Sequence, residues 1–135
     1  MEYRELGRTG LHVSVVSYGT APLGDMFGAA DEPTALRSVR HALDAGINLF
    51  DSSPYYGNGL AEERLGKALK GVRQEVFVGT KAGRYGFSDF DFSPARLQAS
   101  IDTSLRLLGT DYVDASGARL DCAVDESSAP PPAHH

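Results

Sequence analysis

Short apolar runs and longer segments with a helical repeat alternate along the chain. The short runs are rich in β-branched and aromatic residues and predict strands at 13–18, 47–51 and 75–81, with a fourth beginning at Asp111. Before the first strand, residues 3–6 and 11–14 flank a glycine-containing turn, which is typical of a short hairpin. Strands that alternate with helices predict a parallel sheet with helical crossovers.

Three helices are predicted between these strands, the first after Asp31, the second over residues 61–70 and the third after Ser93. Ser93 is a suitable N-cap, Pro94 takes the first helical position and Gly109 follows the last turn. The third helix has apolar residues at spacings of four, four and three, at Leu97, Ile101, Leu105 and Leu108. These spacings place the four side chains along one face of a helix.

Two architectures fit this order of elements. A small doubly wound sheet could be complete within 135 residues. A (β/α) barrel needs about 250 residues, so the chain would form about half of one. The glycine-bearing segment 19–24 does not match the G-x-G-x-x-G pattern, which weakens the doubly wound dinucleotide-binding alternative.

Composition and charge indicate the class of protein and exclude some kinds of partner. Hydrophobic residues make up 41% and charged residues 23% of the chain, as in soluble globular proteins. The net charge is -5 without a basic cluster, so a nucleic-acid partner is not expected. Neither a bilayer-spanning apolar run nor an N-terminal signal peptide is evident, so no membrane partner is expected. Cys122 is the single cysteine, which excludes an internal disulfide and favours a reducing, cytoplasmic location.

The amino-acid composition changes after Asp114. Residues 115–135 contain no aromatic residue, and three successive prolines occur at 130–132. Such a segment gains little from burial, so we expect a folded domain at 1–114 and a disordered tail at 115–135.

Three polar side chains follow the predicted strands. Asp51 ends the second strand, Tyr56 lies in the loop after it and Lys81 ends the third. The carboxyl ends of parallel strands share one face of a sheet, so these residues could converge there. A nearby ammonium stabilises a phenolate, so Tyr56 could exchange a proton with a carbonyl or alcohol oxygen, with a nicotinamide cofactor as hydride carrier.

A structural role is the alternative for each of these residues. A carboxylate at a strand end often caps a helix or pairs with a surface lysine, and adjacent tyrosines can simply cover the mouth of a barrel. The histidines lie on predicted surface elements or in the tail, and neither a metal cluster nor a nucleophile-base pair is recognisable. The sequence pattern alone is compatible with a catalytic role and with a purely structural role for Asp51, Tyr56 and Lys81.

Several segments resemble the aldo-keto reductase family, and they occur in the family's order from Tyr3 to Asp114. They are the opening hairpin at 3–14, the G-I-N-L-F-D-S-S-P-Y-Y-G segment at 46–57, the following helix with Glu62 and L-G-K-A-L at 65–69, the T-K-A-G-R-Y segment at 80–85 and the S-L-R-L-L-G-T-D-Y-V-D segment at 104–114. The resemblance implies the N-terminal half of a (β/α)8 barrel, preceded by a short β-hairpin.

The family resemblance also implies roles for residues. Asp51, Tyr56 and Lys81 match three of the family's four catalytic residues, and Gly19, Thr20 and Asp51 would lie near the nicotinamide of NADP or NAD. The loop at 83–93 resembles that of the L-galactose dehydrogenase-like aldose dehydrogenases. The implied substrate is a small carbonyl compound or a sugar oxidised at C1.

The chain departs from the family after Asp114. The fourth catalytic residue, a histidine, corresponds to Arg119, and no histidine occurs between His41 and His134. A truncated, inactive reductase is therefore expected. The alternative is a non-enzymatic half-barrel that pairs with another chain, or with itself, through exposed strand edges.

Overall fold

The computed structural model describes residues 1–118. The chain opens with an antiparallel hairpin of β1 (Tyr3–Glu5) and β2 (His12–Ser14). The side chain of Asn48 joins this hairpin to the main sheet, because it accepts from the Ser14 amide at 2.7 Å and donates to the His12 carbonyl at 3.0 Å. Since Asn48 precedes the second strand of the main sheet, the hairpin lies at the amino end of that sheet.

The main sheet has four parallel strands in the order β3-β4-β5-β6. Their bounds are Tyr18–Gly19, Leu49–Asp51, Phe77–Ala82 and Ala115–Ala118. Each strand pairs with the one before it in the chain, as in a β/α barrel, and the predicted alternation of strands and helices is confirmed. The sheet is therefore an arc of such a barrel.

The crossovers are helices α1 (Glu32–Asp44), α2 (Leu60–Ala68) and α3 (Pro94–Leu108). Asp31 caps α1 by accepting from the Thr34 amide, and its hydrogen bonds to Thr34 hold the pKa of Asp31 below its usual range. Ser93 caps α3 and Gly109 ends it in the left-handed region, at φ +64. The predicted start and end of α3 are thus confirmed.

The core lies between the sheet and these helices. Phe50 and Val78 project from the central strands and are almost fully buried. They meet apolar residues of the first two helices, chiefly Val39, Ala42, Ala61, Leu65 and Ala68. The helices therefore cover the outer face of the sheet. Polar side chains lie at its carboxyl edge.

The apolar repeat on α3 coincides with the buried face of the helix only at Leu108. The buried residues are Ser100, Ser104 and Leu108, whereas Leu97, Ile101 and Leu105 are only half-buried. The reason is the close approach of α2 and α3: a Cβ on Gly66 would stand 2.6 Å from the Leu108 carbonyl oxygen. On the side of α3 that faces α2, Ser104 lies beside the buried carboxyl group of Glu62.

Two predicted strand limits also need correction. Residues 13–18 do not form one strand, because the Ser14 hydroxyl donates to the Val16 carbonyl at 2.7 Å and bends the chain. Residues 115–118, expected to be disordered, form β6 on the edge of β5. Small residues suffice for backbone pairing there, so the predicted boundary at Asp114 falls four residues too early. The rest of the predicted tail, 119–135, lies outside the described residues.

Among residues 1–118, no helix is long and apolar enough to cross a membrane.

Candidate active site

The carboxyl edge of the sheet brings Asp51 and Lys81 together. Asp51 is the last residue of β4 and stands in register with Gly19 of β3 and Gly79 of β5. Lys81 lies two residues beyond Gly79, so its side chain emerges on the same side of the strand as that glycine. Gly79 has no side chain to intervene, which leaves space for the ammonium to reach Asp51.

The Lys81 ammonium is held by three oxygens. It donates to both carboxylate oxygens of Asp51 and to the Ser52 carbonyl, each at 2.8 Å. The Lys81 side chain is 20% exposed and that of Asp51 is 51% exposed, so the pair lies at the mouth of the barrel arc. The ammonium is thus fixed in position while one side of the pair stays open to small molecules.

Tyr56 completes the cluster from the loop after β4. The Lys81 Nζ lies 5.3 Å from the centroid of the Tyr56 ring, and the centroid of the Tyr55 ring lies 6.5 Å from that of Tyr56. The predicted convergence of Asp51, Lys81 and Tyr56 on one face is confirmed as geometry. Their catalytic roles stay a prediction.

Backbone contact fixes the loop that carries Tyr56. A one-turn 3-10 helix at Ala21–Gly24 packs so closely that a Cβ on Gly24 would stand 2.4 Å from the Tyr56 carbonyl carbon. A Cβ on Gly57 would likewise stand 2.5 Å from the Gly24 carbonyl oxygen. Neither segment can move toward the other, so the position of Tyr56 follows that of the 3-10 helix.

Substituting Gly57 by alanine is expected to displace this loop. Gly57 has φ +67, where an L-residue is strained, and the added methyl group meets backbone rather than a flexible side chain. We expect a loss of roughly 1–3 kcal/mol in the free energy of unfolding, measured by urea denaturation. Gly7→Ala is the matched control, since Gly7 has φ +57 but no heavy atom within 4 Å of where its Cβ would stand. Equal losses in both variants would show that the contact with Gly24 is unimportant.

The two residues expected near a nicotinamide differ in their surroundings. Gly19 is exposed beside Asp51, and no heavy atom lies within 4 Å of where its Cβ would stand. Thr20 is fully buried, and its hydroxyl donates to the Ser52 hydroxyl at 2.8 Å. Gly19 therefore opens space next to Asp51, whereas the Thr20 side chain supports the loop that begins at Ser52.

Glu62 is a buried carboxylate that was not predicted as part of this site. It is fully buried on α2, and its Oε1 accepts from the Thr80 hydroxyl at 2.6 Å. Burial raises the pKa of Glu62, opposed by Thr80, by the neighbouring Ser104 hydroxyl and by the charge of Lys81. Its place in the apolar stripe with Leu65 and Leu69 was the sequence signal for a buried acid. Glu62 thus anchors β5 directly before Lys81.

The raised pKa of Glu62 predicts a pH effect on stability. Between the ordinary value of 4.5 and the raised value, the unfolded chain releases a proton that the folded chain keeps, so stability falls as pH rises through that window. Glu62→Gln should remove this fall while its amide oxygen still accepts from Thr80. The measurement is the urea midpoint of both proteins from pH 4 upward. A wild type that gains stability over the variant as pH rises would show that the carboxylate is favoured in its charged form.

A second feature that was not predicted is a buried cation among aromatic rings, in the loop at 83–92 that follows Lys81. Arg84 in this loop is buried, and its guanidinium carbon lies 4.0 Å from the centroid of the Tyr55 ring. The arginine among Tyr85, Phe87, Phe90 and Phe92 was the available signal. The spacing of polar residues at strand ends gives no indication of such a cation-aromatic cluster.

The arrangement has the parts of a proton-transfer site. A phenol stands beside an ammonium that a carboxylate and a carbonyl hold in place, at an edge open to small molecules. Within residues 1–118, no group of three or more His, Cys, Asp or Glu side chains is placed to bind a metal ion.

The chain is similar in sequence and structure to known proteins. The sequence pattern of the Aldo/keto reductase family matches residues 15–118, which include every strand of the main sheet. The chain belongs to the aldo/keto reductase family. Asp51, Tyr56 and Lys81 all fall inside the matched segment, and the fold is accordingly a part of that family's (β/α) barrel.

Individual aldo-keto reductases resemble this chain in sequence and structure. L-galactose dehydrogenase from Arabidopsis thaliana is 51% identical over 117 residues, covering 84% of this chain and 36% of the relative. The holo form of aldo-keto reductase AKR11C1 from Bacillus halodurans superposes with a TM-score of 0.78 at 36% identity, covering 94% of this chain and 44% of that one. An aldo/keto reductase from Klebsiella pneumoniae in complex with NADP and acetate gives a TM-score of 0.67 at 28% identity, covering 78% and 35%.

The chain therefore spans between a third and a half of the length of these relatives. Position 119, where the resemblance sets Arg119 against the family's histidine, lies outside the described residues.

Proposed function

We propose that Asp51, Tyr56 and Lys81 form the proton-transfer site of an NAD(P)-dependent oxidoreductase that acts on a small carbonyl compound or on the C1 hydroxyl of an aldose. The observation that carries the proposal is the Lys81 ammonium, 2.8 Å from both Asp51 oxygens and 5.3 Å from the Tyr56 ring. A charge fixed in this way does not need to reorganise while a proton moves.

Each residue has a separate role in this proposal. The Tyr56 hydroxyl takes the proton of the sugar hydroxyl during oxidation, or gives one to the carbonyl oxygen during reduction. Lys81 places its positive charge beside the Tyr56 ring. Asp51 holds the Lys81 ammonium at this end of the sheet. Ser52 contributes a backbone carbonyl, which restrains the same ammonium from a second side.

The open space at Gly19 fits a flat cofactor ring beside Asp51. No heavy atom stands within 4 Å of the Gly19 Cβ position, so a planar group could lie against the backbone there. NAD or NADP supplies hydride transfer when bound. Gly19 and Asp51 would line the ring, while Thr20 would act by supporting Ser52 from within the fold. The Klebsiella relative in complex with NADP supports the choice of cofactor.

An aldose is the substrate class that similarity favours. At 51% identity, the matched segment of the Arabidopsis L-galactose dehydrogenase is close enough to share its local structure. The proposed oxidation removes a hydride from C1 and a proton from its hydroxyl group, and yields the lactone.

A grafted protein tests the proposal directly. Residues 1–118 of this chain would replace the matching segment of the Arabidopsis L-galactose dehydrogenase, and turnover of L-galactose and other aldoses with NAD or NADP would be followed by nicotinamide absorbance. We expect turnover by the grafted protein and none by the 135-residue chain alone. A folded graft without turnover would contradict the proposal.

A second candidate function is association with another chain. Within the described residues, β3 and β6 are the edge strands of an open sheet, and their outer backbone groups could pair with a strand from elsewhere. Light scattering after size exclusion would test this function. A discrete dimer of the 135-residue chain would favour it, and a monomer across the concentration range would exclude self-pairing.

A further inference from the structure

The loop after Lys81 folds into a compact hairpin instead of extending over the surface. The Tyr85 amide donates to the Asp89 carbonyl at 2.8 Å, and the Asp91 amide donates to the Gly83 carbonyl at 2.9 Å. At its base, Gly83 has φ +103, and the Phe92 ring lies where a Cβ would stand. This hairpin, residues 83–92, therefore has a fixed shape next to the catalytic edge.

Arg84 is the centre of the hairpin. Its Nε donates to the Gly86 carbonyl at 3.1 Å and its Nη2 to the Phe87 carbonyl at 3.2 Å. The guanidinium carbon also lies 5.4 Å from the Phe90 ring centroid and 6.0 Å from that of Phe87. At 5% exposure, the arginine is a buried cation surrounded by aromatic faces and carbonyl oxygens.

The same guanidinium reaches out of the hairpin to contact the loop that carries the candidate catalytic tyrosine. Among the rings around it, Tyr55 is the closest, with its centroid 4.0 Å from the guanidinium carbon. Tyr55 precedes Tyr56 in the chain, and their rings are 6.5 Å apart. Lys81 approaches the Tyr56 ring from the strand on which the hairpin begins. The tyrosine pair is thus held between two cations that come from one segment.

We propose that Arg84 is a positioning residue for Tyr56: by stacking on Tyr55, it ties the loop after β4 to the hairpin after β5 and so fixes the tyrosine against Lys81. The inference rests on the proposed function for its catalytic consequence. Its structural part, the dependence of Tyr56 on Arg84, is independent of any turnover.

An arginine suits this task better than a lysine. The planar guanidinium can stack on Tyr55 and at the same time donate in its own plane to the carbonyls of Gly86 and Phe87. A lysine ammonium has no plane to stack, and it would keep the charge without fixing the ring orientation. Displacing a reacting group by about 1 Å can cost roughly a hundredfold in rate, so a small change in the Tyr55 stack should be visible in turnover.

The structural arm of the test uses the 135-residue chain with ¹³C-labelled tyrosine rings. The six tyrosines give six sets of ring signals, assignable through single Tyr→Phe variants. Arg84→Gln keeps an amide donor for the hairpin carbonyls but removes the stacked cation, so we expect the Tyr55 and Tyr56 signals to shift and broaden. Arg96→Gln is the matched control, because Arg96 stacks on the Tyr85 ring at 4.2 Å. That control should shift Tyr85 alone.

The kinetic arm uses the grafted protein. We expect Arg84→Gln to lower kcat by roughly tenfold or more with KM changed by less than about threefold, since Tyr56 and not substrate binding is affected. Arg84→Lys should fall between wild type and Arg84→Gln. Arg96→Gln should match wild type in both constants.

Each outcome decides the proposal. Unchanged Tyr56 signals in a folded Arg84→Gln chain would overturn it, as would an equal effect of Arg96→Gln. If Arg84→Gln does not fold, Arg84→Lys decides: wild-type Tyr56 signals overturn the proposal, and altered signals support it. A graft that lacks turnover altogether would count against the proposed function, while the tyrosine signals would still report on Arg84.

Discussion

Replacing Tyr56 by phenylalanine in the grafted protein is expected to reduce kcat for sugar oxidation by roughly 10²–10⁴-fold. The variant keeps the ring beside Lys81 and loses only the hydroxyl, so binding of sugar and cofactor should change little. Tyr112→Phe is the matched control: Tyr112 follows α3 and precedes β6, near the amino end of the sheet and away from the carboxyl edge. Loss of the Tyr112 hydroxyl should leave kcat and KM unchanged.

Lys81→Met should have a comparable effect for a different reason. Methionine retains most of the side-chain length but places no positive charge beside the Tyr56 ring, and it leaves Asp51 without its partner. The exposed Lys70 provides the control substitution Lys70→Met. Turnover that survives both Tyr56→Phe and Lys81→Met would remove these residues from the proposed proton-transfer site.

Arg64→Met is expected to cause the largest loss of stability among the substitutions considered, roughly 3 kcal/mol or more. The Arg64 side chain is 9% exposed and joins α2 to the segment before α1. It donates to the carbonyls of Leu23 and Ala30, each at 2.9 Å, and to the Asp25 carboxylate at 3.2 Å. Methionine fills part of the volume but leaves these acceptors without their donor.

Urea denaturation of the 135-residue chain would measure this loss, with Arg37→Met as the control. Arg37 is exposed and makes a single hydrogen bond, to Thr34, among the described contacts. An Arg64→Met midpoint equal to that of the control would show that the buried contacts contribute nothing net. Because Gly24 lies in the segment that Arg64 holds and touches the Tyr56 backbone, the same variant should also alter the Tyr56 ring signals.

The sequence predicted the parts of the fold that local chemistry determines. The alternation of apolar runs, the Ser93 cap and the Gly109 end all depend on residues close together in the chain, and the structure confirms them. The inner face of α3 could not be predicted, because it depends on how closely a second helix approaches at Gly66. Strand β6 was missed for a related reason: its backbone pairs with β5, while Ser116 and Gly117 carry no apolar signal.

The candidate site was likewise predictable only in part from the sequence. Asp51 and Lys81 could be placed together because parallel strands bring their carboxyl ends to one edge, and the ion pair confirms that reasoning. Arg84 and Glu62 contact Tyr55 and Thr80, which lie on other elements. Sequence spacing carries no information on which ring a loop arginine will stack against. The barrel assignment also needed family resemblance, since the alternation of elements fits a small open sheet equally well.

The strand order has a consequence for how the chain folds during synthesis. Each strand of the main sheet pairs with its immediate predecessor, so every newly made β/α unit finds its docking edge already present. Folding can then advance from the amino terminus in small steps, without waiting for distant segments, and contacts that are local in sequence form quickly. Lys81 would meet Asp51 as soon as β5 leaves the ribosome, before α3 has emerged.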